Sequence, residues 1–251
     1  MDNDADGRID PPWMRWVAFL GPLVAFALVG YWGPRVVLGA DASGISLSNH
    51  PQLALGVTVI RVVSMLLVVG CVMPFVRRVF PIRVSPVSVV VGAVGALIWI
   101  ILCRLNIESS MLLMFGLPAD QFGSRDAIDP WSLYPDASHR LAFLFFRFTL
   151  LVVTVPIAEE LMLRGCLMRA IEADDWHALP LNQIGRVGLI TATVYGIVSH
   201  PAEWIAAAAW FSLVTWMMVR TNRFWDCVVA HSVTNAILGA YIVASGDYRL
   251  W

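Results

Sequence analysis

The sequence predicts an all-α, polytopic helical membrane protein with six to eight transmembrane helices. Hydrophobic residues make up 59% of the 251-residue chain and charged residues only 14%, which is too apolar for a soluble domain of this length. Apolar runs also recur along the chain at nearly the length that a helix needs to cross a bilayer. We therefore expect a multi-pass protein of the cell (inner) membrane.

An N-terminal unit, residues 1–140, holds three predicted spans and two extramembrane loops. The spans cover residues 16–32, 57–75 and 87–103, and the loops after the first and third are rich in Gly, Pro, Ser and Asp. The short connector between the second and third spans carries Arg77, Arg78 and Arg83. The positive-inside rule places this basic connector, and with it the N-terminus, in the cytoplasm.

The C-terminal unit, residues 141–251, is predicted to carry the functional core, and the two units are expected to form one structural domain. Its first apolar run, 141–171, contains Pro156, which removes a backbone donor and predicts a break in the helix. Shorter runs follow at 187–200, 204–219 and 227–244. Strict alternation of spans would put Glu159 toward the inner side and His200 toward the outer side, although 187–200 is short for a full span.

Ionisable side chains recur inside these apolar runs. A charged side chain at the centre of a bilayer costs about 2.5–3.5 kcal/mol even on insertion scales, so such groups are rarely kept without a partner or a task. Glu160 and Arg164 are one helical turn apart, with the acid on the N-terminal side, which predicts an ion pair. Glu159 has Leu163 four positions on, so it is the freer carboxylate and the candidate base.

Two histidines and an asparagine complete the polar set. His231 and Asn235 are four residues apart and project from one helix face, where both can donate hydrogen bonds to a developing oxyanion. His200 comes from another run, and together with a carboxylate it can activate water. The acid pair, the lone histidine and the His-x-x-x-Asn element together predict a hydrolytic site within the membrane.

These residues carry a resemblance to a known family. Glu159 to Gly165, E-E-L-M-L-R-G, resembles the E-E-x-x-x-R motif of the CAAX protease and bacteriocin-processing family of intramembrane proteases, and His231 with Asn235 resembles its H-x-x-x-N/D element. His200 resembles the histidine of F-x-x-x-H, but Gly196 stands at the aromatic position and Tyr195 lies one residue too early. The resemblance covers residues 149–251, and the C-terminal stretch is most similar to the subfamily associated with the PEP-CTERM/exosortase sorting system.

The resemblance implies a glutamate-dependent membrane endopeptidase that requires no metal. Glu159 and His200 would activate the water, His231 and Asn235 would form the oxyanion hole, and a supporting pair would hold the site: Glu160 and Arg164. The implied partners are the lipid bilayer, a protein or peptide substrate at the membrane, and components of an exosortase-type sorting system. The subfamily points to a processed protein tail as substrate, whereas prenylated peptides are the substrates of the eukaryotic members.

Two alternatives stay open at this stage. Glu159, Glu160, His200 and His231 could instead be zinc ligands in a membrane metalloprotease, although the H-E-x-x-H helix is absent from the sequence. The polar network could also belong to a non-catalytic membrane scaffold or immunity protein, where polar side chains join helices. Nucleic-acid binding is not expected, since the basic residues are scattered at segment ends and form no dense patch.

Overall fold

The computed structural model describes residues 11–38, 47–119, 121 and 127–250. The other residues, and the parts of the predicted units that fall on them, lie outside the described residues. Helices account for all the regular structure in the described ranges, joined by short 3₁₀ turns. In chain order the helices are α1 (Pro12–Leu38), α2 (Pro51–Val79), α3 (Pro86–Leu105), α4 (Ile107–Met114), α5 (Pro130–Leu133), α6 (Ala137–Ala170), α7 (Arg186–Ser199), α8 (Trp204–Thr221) and α9 (Phe224–Ser245).

Six of the described helical segments are long and apolar enough to cross a membrane, which confirms the predicted fold class. They comprise α1, α2, α3 with α4, α6, α8 and α9, while the apolar α7 is shorter, at 14 residues. Proline begins α2 and α3, where a missing N–H costs no intrahelical bond. Residues in the left-handed region end three helices: Asn106, Asn222 and Gly246.

The helices pack into one bundle around a shared apolar core. α1 packs on α2, α3 packs on α8 and α9, and α7 packs on α8. Small residues allow close crossings: a Cβ on Gly92 of α3 would lie 2.6 Å from the carbonyl oxygen of Ala230 in α9. The buried core draws side chains from both predicted units, including Phe19, Val76 and Met217.

The predicted break at Pro156 is wrong, because α6 continues past the proline. Two stretches of α6, Leu150–Thr154 and Leu161–Leu167, are wound as π-helix. The first ends two residues before Pro156, and its wider turn accommodates a residue that has no N–H without breaking the helix. Glu159 and Glu160 therefore sit on a continuous helix between two π segments.

One end of the bundle gathers the α2–α3 connector and the starts or ends of several other helices. The indole N–H of Trp225 donates to the Phe80 carbonyl at 2.9 Å, and the backbone N–H of Ser85 donates to Asp226 at 2.7 Å. Arg83, Arg169 and Arg223 line one recess there, and we call this the basic end. The end of α6 and the start of α7 are also joined, since the Gly188 N–H donates to Glu172.

Helix lengths place the distant motifs at heights of about 10–21 Å from the basic end. With a rise of about 1.5 Å per residue, His231 and Asn235 lie about 10 and 16 Å along α9, and Glu159 about 16 Å from the end of α6. The short α7 brings His200 to about 21 Å rather than to the far side of a core about 30 Å thick. The conflict that strict alternation created between Glu159 and His200 therefore disappears.

Candidate active site

The four residues predicted to act on a substrate line a single cavity inside the bundle. Glu159, His200, His231 and Asn235 come from α6, the end of α7 and α9. The cavity has a volume of about 120 Å³, which is room for several water molecules. Its remaining wall is largely apolar and aromatic, with the side chains of Trp99, Trp210, Phe211 and Leu238 among its members. The two histidines thus share one cavity inside the bundle.

The Glu160–Arg164 ion pair forms as the one-turn spacing predicts, and it is fully buried. Arg164 Nη1 donates to Glu160 Oε2 at 2.5 Å, with side-chain exposures of 0% and 1%. Arg164 Nη2 lies 3.4 Å from both the Phe211 carbonyl and the Thr215 hydroxyl. A charge this deep is tolerated only with a close opposite charge, so the two side chains require each other, and Arg164 also anchors α6 to α8.

His231 lies between the two glutamates. Its Nδ1 is 3.0 Å from Glu160 Oε1, and its Nε2 is 3.7 Å from Glu159 Oε2. Since a carboxylate only accepts, the proton of this shorter contact sits on His231 Nδ1. The indole of Trp210 packs edge-on against the imidazole, with ring centroids 4.7 Å apart. Arg164, Glu160 and His231 therefore form a buried chain of contacts that ends at the cavity and at Glu159.

Glu159 is the carboxylate that faces the cavity. Its side chain is 17% exposed, against 1% for Glu160. The Tyr195 hydroxyl donates toward Glu159 Oε1 at 3.5 Å, a long contact that leaves this oxygen able to bind a water as well. The spacing argument that named Glu159 as the freer acid is matched by this geometry, and its catalytic role stays a prediction.

His200 follows the last residue of α7 and is held by that helix's own end. Its Nδ1 is 3.2 Å from the Gly196 carbonyl and 2.9 Å from the Ser199 hydroxyl. Because a carbonyl only accepts, the contact to Gly196 favours the tautomer with its proton on Nδ1. In that tautomer Nε2 carries the lone pair that a base needs. Trp99 packs edge-on against the ring, with centroids 5.3 Å apart.

Asn235 has a structural partner that the sequence did not reveal. Its Nδ2 donates to the Leu151 carbonyl at 2.8 Å. In the π segment the N–H of Val155 goes to Leu150, and the residue five positions after Leu151 is Pro156, which has no N–H. The Leu151 carbonyl therefore lacks a donor from the next turn, and Asn235 supplies one. An amide nitrogen carries two hydrogens, and the bond to Leu151 uses one of them.

The structural bond of Asn235 to Leu151 and its predicted role in the oxyanion hole can be separated by a compensating substitution. Asn235→Ala should lower stability by about 1 kcal/mol, because it removes the donor of the part-buried Leu151 carbonyl, and should also reduce peptide cleavage. Adding Pro156→Ala returns a backbone N–H to this turn and should recover the melting temperature but not the cleavage rate. Thermal unfolding in detergent and a cleavage assay measure the two effects, with Pro156→Ala alone as control. Recovery of both properties together would contradict a direct role in the reaction.

The contacts of Glu160 argue against the zinc alternative. Of those proposed ligands, Glu160 already forms an ion pair with Arg164 and a close contact with His231. Within the described ranges, no group of three or more His, Cys, Asp and Glu side chains is arranged to hold a metal ion. A cationic guanidinium bonded to a would-be ligand also disfavours a second cation at the same place.

Comparison with known proteins points to one family. Residues 141–237 match the family model described as type II CAAX prenyl endopeptidase Rce1-like. No curated protein and no solved structure matches the chain. The matched range contains all of the candidate site residues, Glu159, Glu160, Arg164, His200, His231 and Asn235. Over this range the chain is similar to the Rce1-like group of CAAX proteases, which supports the predicted family, while the exosortase-associated subfamily stays a prediction.

Sequence reasoning missed the aromatic and backbone parts of the site. Phe211 and Trp210 come from α8, which carries no polar motif, and their place beside the histidines depends on how α8 crosses α7 and α9. One feature of the sequence could have indicated the contact of Tyr195 with Glu159: this aromatic residue stands one position before the place that the F-x-x-x-H pattern gives it. Pro156 was a second signal, since it leaves a carbonyl in the preceding turn without its backbone donor.

Proposed function

We propose that the protein is a glutamate-dependent intramembrane endopeptidase that hydrolyses a peptide bond in a membrane-associated protein or peptide tail. The observation that carries this proposal is the cavity inside the bundle that a carboxylate, two imidazoles and an amide line together. A scaffold has no need of a hollow beside its polar groups, whereas hydrolysis requires space for a water and a carbonyl group. The family match supports the same reaction class.

In the first step Glu159 and His200 activate a water molecule. The water transfers a proton to one of these groups as its oxygen attacks the carbonyl carbon of the substrate. A C–O bond forms, the carbonyl π bond opens, and the electron pair moves onto the carbonyl oxygen. The Nδ1–H tautomer of His200, favoured by the Gly196 carbonyl, suits this role because its Nε2 can accept a proton.

The tetrahedral oxyanion is stabilised by His231 and Asn235. Asn235 offers the N–H that is not used by Leu151. His231 can donate from Nε2 when it is protonated, while its Nδ1–H stays bonded to Glu160. Preorganised donors of this kind are each worth about 10²–10³ in rate in acyl-transfer enzymes. Glu160 and Arg164 orient His231 and do not touch the substrate.

Collapse of the intermediate completes the hydrolysis. The proton held by Glu159 or His200 passes to the leaving nitrogen, the C–N bond breaks, and the carbonyl re-forms as a carboxylic acid. All atoms come from the substrate and one water, so no oxidant, reductant or second substrate is needed. We further propose that no metal takes part, which is supported by the ion pair that occupies Glu160.

The setting of the cavity supports a substrate that reaches the site from the bilayer. Apolar side chains form most of the cavity wall, and the site residues lie about 10–21 Å from the basic end by helix rise. We propose a location in the cell (inner) membrane and a processed protein tail as substrate, in the manner of an exosortase-type sorting system. That last step rests on the subfamily resemblance of the C-terminal stretch.

The proposal is tested with proteoliposomes that contain the purified protein and a set of membrane-anchored reporters with different tails. The wild type should release at least one tail, and mass spectrometry should place the cut next to the membrane anchor. His200→Ala should reduce release by about 10²–10⁴-fold, the range of general-base catalysis. His139→Ala, a histidine at the exposed start of α6, is the matched control and should cleave normally. Equal release with wild type and His200→Ala would overturn the proposal.

A further inference from the structure

Position 196 of α7, where the F-x-x-x-H pattern would place an aromatic ring, is a glycine. A side chain from α8 fills the space beside it. A Cβ built on Gly196 would lie only 2.3, 2.6 and 2.9 Å from three ring atoms of Phe211. Such distances are far inside van der Waals contact. Phe211 of α8 therefore occupies the volume that a side chain at position 196 would need, and glycine is what admits it.

The same ring contacts His200. The centroids of Phe211 and His200 are 5.9 Å apart, with the planes tilted by 49°, within the range of favourable aromatic pairs. Phe211 is 1% exposed, so its ring is fixed by packing. Together with the edge-on Trp99 and the Gly196 carbonyl, it confines the His200 imidazole by rings and by a hydrogen bond.

Phe211 also touches the glutamate half of the site. Its carbonyl lies 3.4 Å from Arg164 Nη2, and the Arg164 guanidinium lies 5.8 Å from its ring centroid. The ring of Tyr195, whose hydroxyl approaches Glu159, packs edge-on against Phe211 with centroids 5.7 Å apart. One buried residue thus contacts the proposed base histidine, the buried arginine and the tyrosine that approaches Glu159.

We propose that Phe211 is the positioning residue for His200 and that it replaces, from α8, the aromatic that the F-x-x-x-H pattern carries on the histidine's own helix. Gly196 is required for this arrangement, because a side chain at position 196 would collide with the Phe211 ring. This inference rests on the proposed function, because positioning matters for catalysis only if His200 takes part in hydrolysis.

The test removes the Phe211 ring from α8 and returns an aromatic ring from position 196 of α7. Phe211→Leu keeps most of the buried volume without a ring, Phe211→Ala removes both, and Gly196→Phe/Phe211→Ala returns a ring from α7. Both single variants should lose about 10–100-fold in kcat with little change in KM, since a misplaced catalytic group costs up to about 10²-fold. The double variant should recover at least part of the kcat lost in Phe211→Ala. Trp216→Ala, which removes an exposed aromatic from the same helix, is the control and should match the wild type.

A second readout does not depend on activity. The ¹⁵N shifts of the His200 ring nitrogens report its tautomer: one Nδ1–H form is expected in the wild type, a mixture in Phe211→Leu, and the Nδ1–H form again in the double variant. Wild-type kcat and a single tautomer in Phe211→Leu would overturn the inference, and that variant suffices if the double variant does not fold. If the wild type cleaves no reporter, the proposed function fails, while the tautomer still decides whether Phe211 positions His200.

Discussion

Glu159→Gln should abolish peptide cleavage while leaving the fold intact. Glutamine has nearly the same shape and can still accept from the Tyr195 hydroxyl, but it cannot take a proton from water at neutral pH. Loss of a general base is worth about 10²–10⁴-fold in rate. Steady-state cleavage of the reporter in proteoliposomes measures the rate, and thermal unfolding in detergent measures the fold.

The matched control is the same substitution at a buried glutamate outside the cavity. Glu108 is 7% exposed, and it accepts from the backbone N–H of Ile205 at the start of α8, a bond that glutamine can also accept. Glu108→Gln should therefore cleave at nearly the wild-type rate. If Glu159→Gln were as active as Glu108→Gln, Glu159 would not be the base and the polar network would be structural.

Arg164→Met should destabilise the protein more than any other single change considered. It leaves the Glu160 carboxylate, 1% exposed, without its cation, and removing one partner of a buried ion pair costs about 3–5 kcal/mol. Adding Glu160→Gln removes the stranded charge and keeps an oxygen that can accept from His231 Nδ1. The double variant should therefore regain much of the lost stability.

Unfolding of both variants in detergent, followed by temperature or denaturant, measures this effect. Arg220→Met at the exposed end of α8 is the control for loss of an arginine and should change stability little. If Arg164→Met unfolded like the wild type, or if the second substitution gave no recovery, the pair would not be the buried anchor of α6 that its contacts indicate.

Hydrophobicity and helical spacing were sufficient to predict much of this molecule. The membrane spans follow from composition, and the Glu160–Arg164 pair follows from a separation of one turn. These features are local, because each depends only on residues within one helix. The motif resemblance added the expectation that His200, His231 and Asn235 meet Glu159, and the shortness of α7 shows how they do so.

The parts that could not be predicted depend on contacts between helices. Nothing local to Phe211 indicates that it fills the space beside Gly196, and nothing local to Asn235 indicates a bond to Leu151. Pro156 predicts a helix break because the sequence rule assumes α-helical hydrogen bonding. A π turn, which accommodates a residue without an N–H, is not part of that rule. Phe211 of α8 fills the space of a missing side chain beside Gly196, and Asn235 of α9 supplies a missing donor to Leu151.

The central claim is that Glu159 and His200, rather than a metal ion, activate the water that cleaves the substrate. The most direct test is to measure reporter cleavage by the purified wild type after exhaustive treatment with a strong chelator, together with its zinc content. We expect the cleavage rate to be unchanged when the protein holds far less than one zinc ion per molecule. Loss of cleavage on chelation, restored by added zinc, would contradict it.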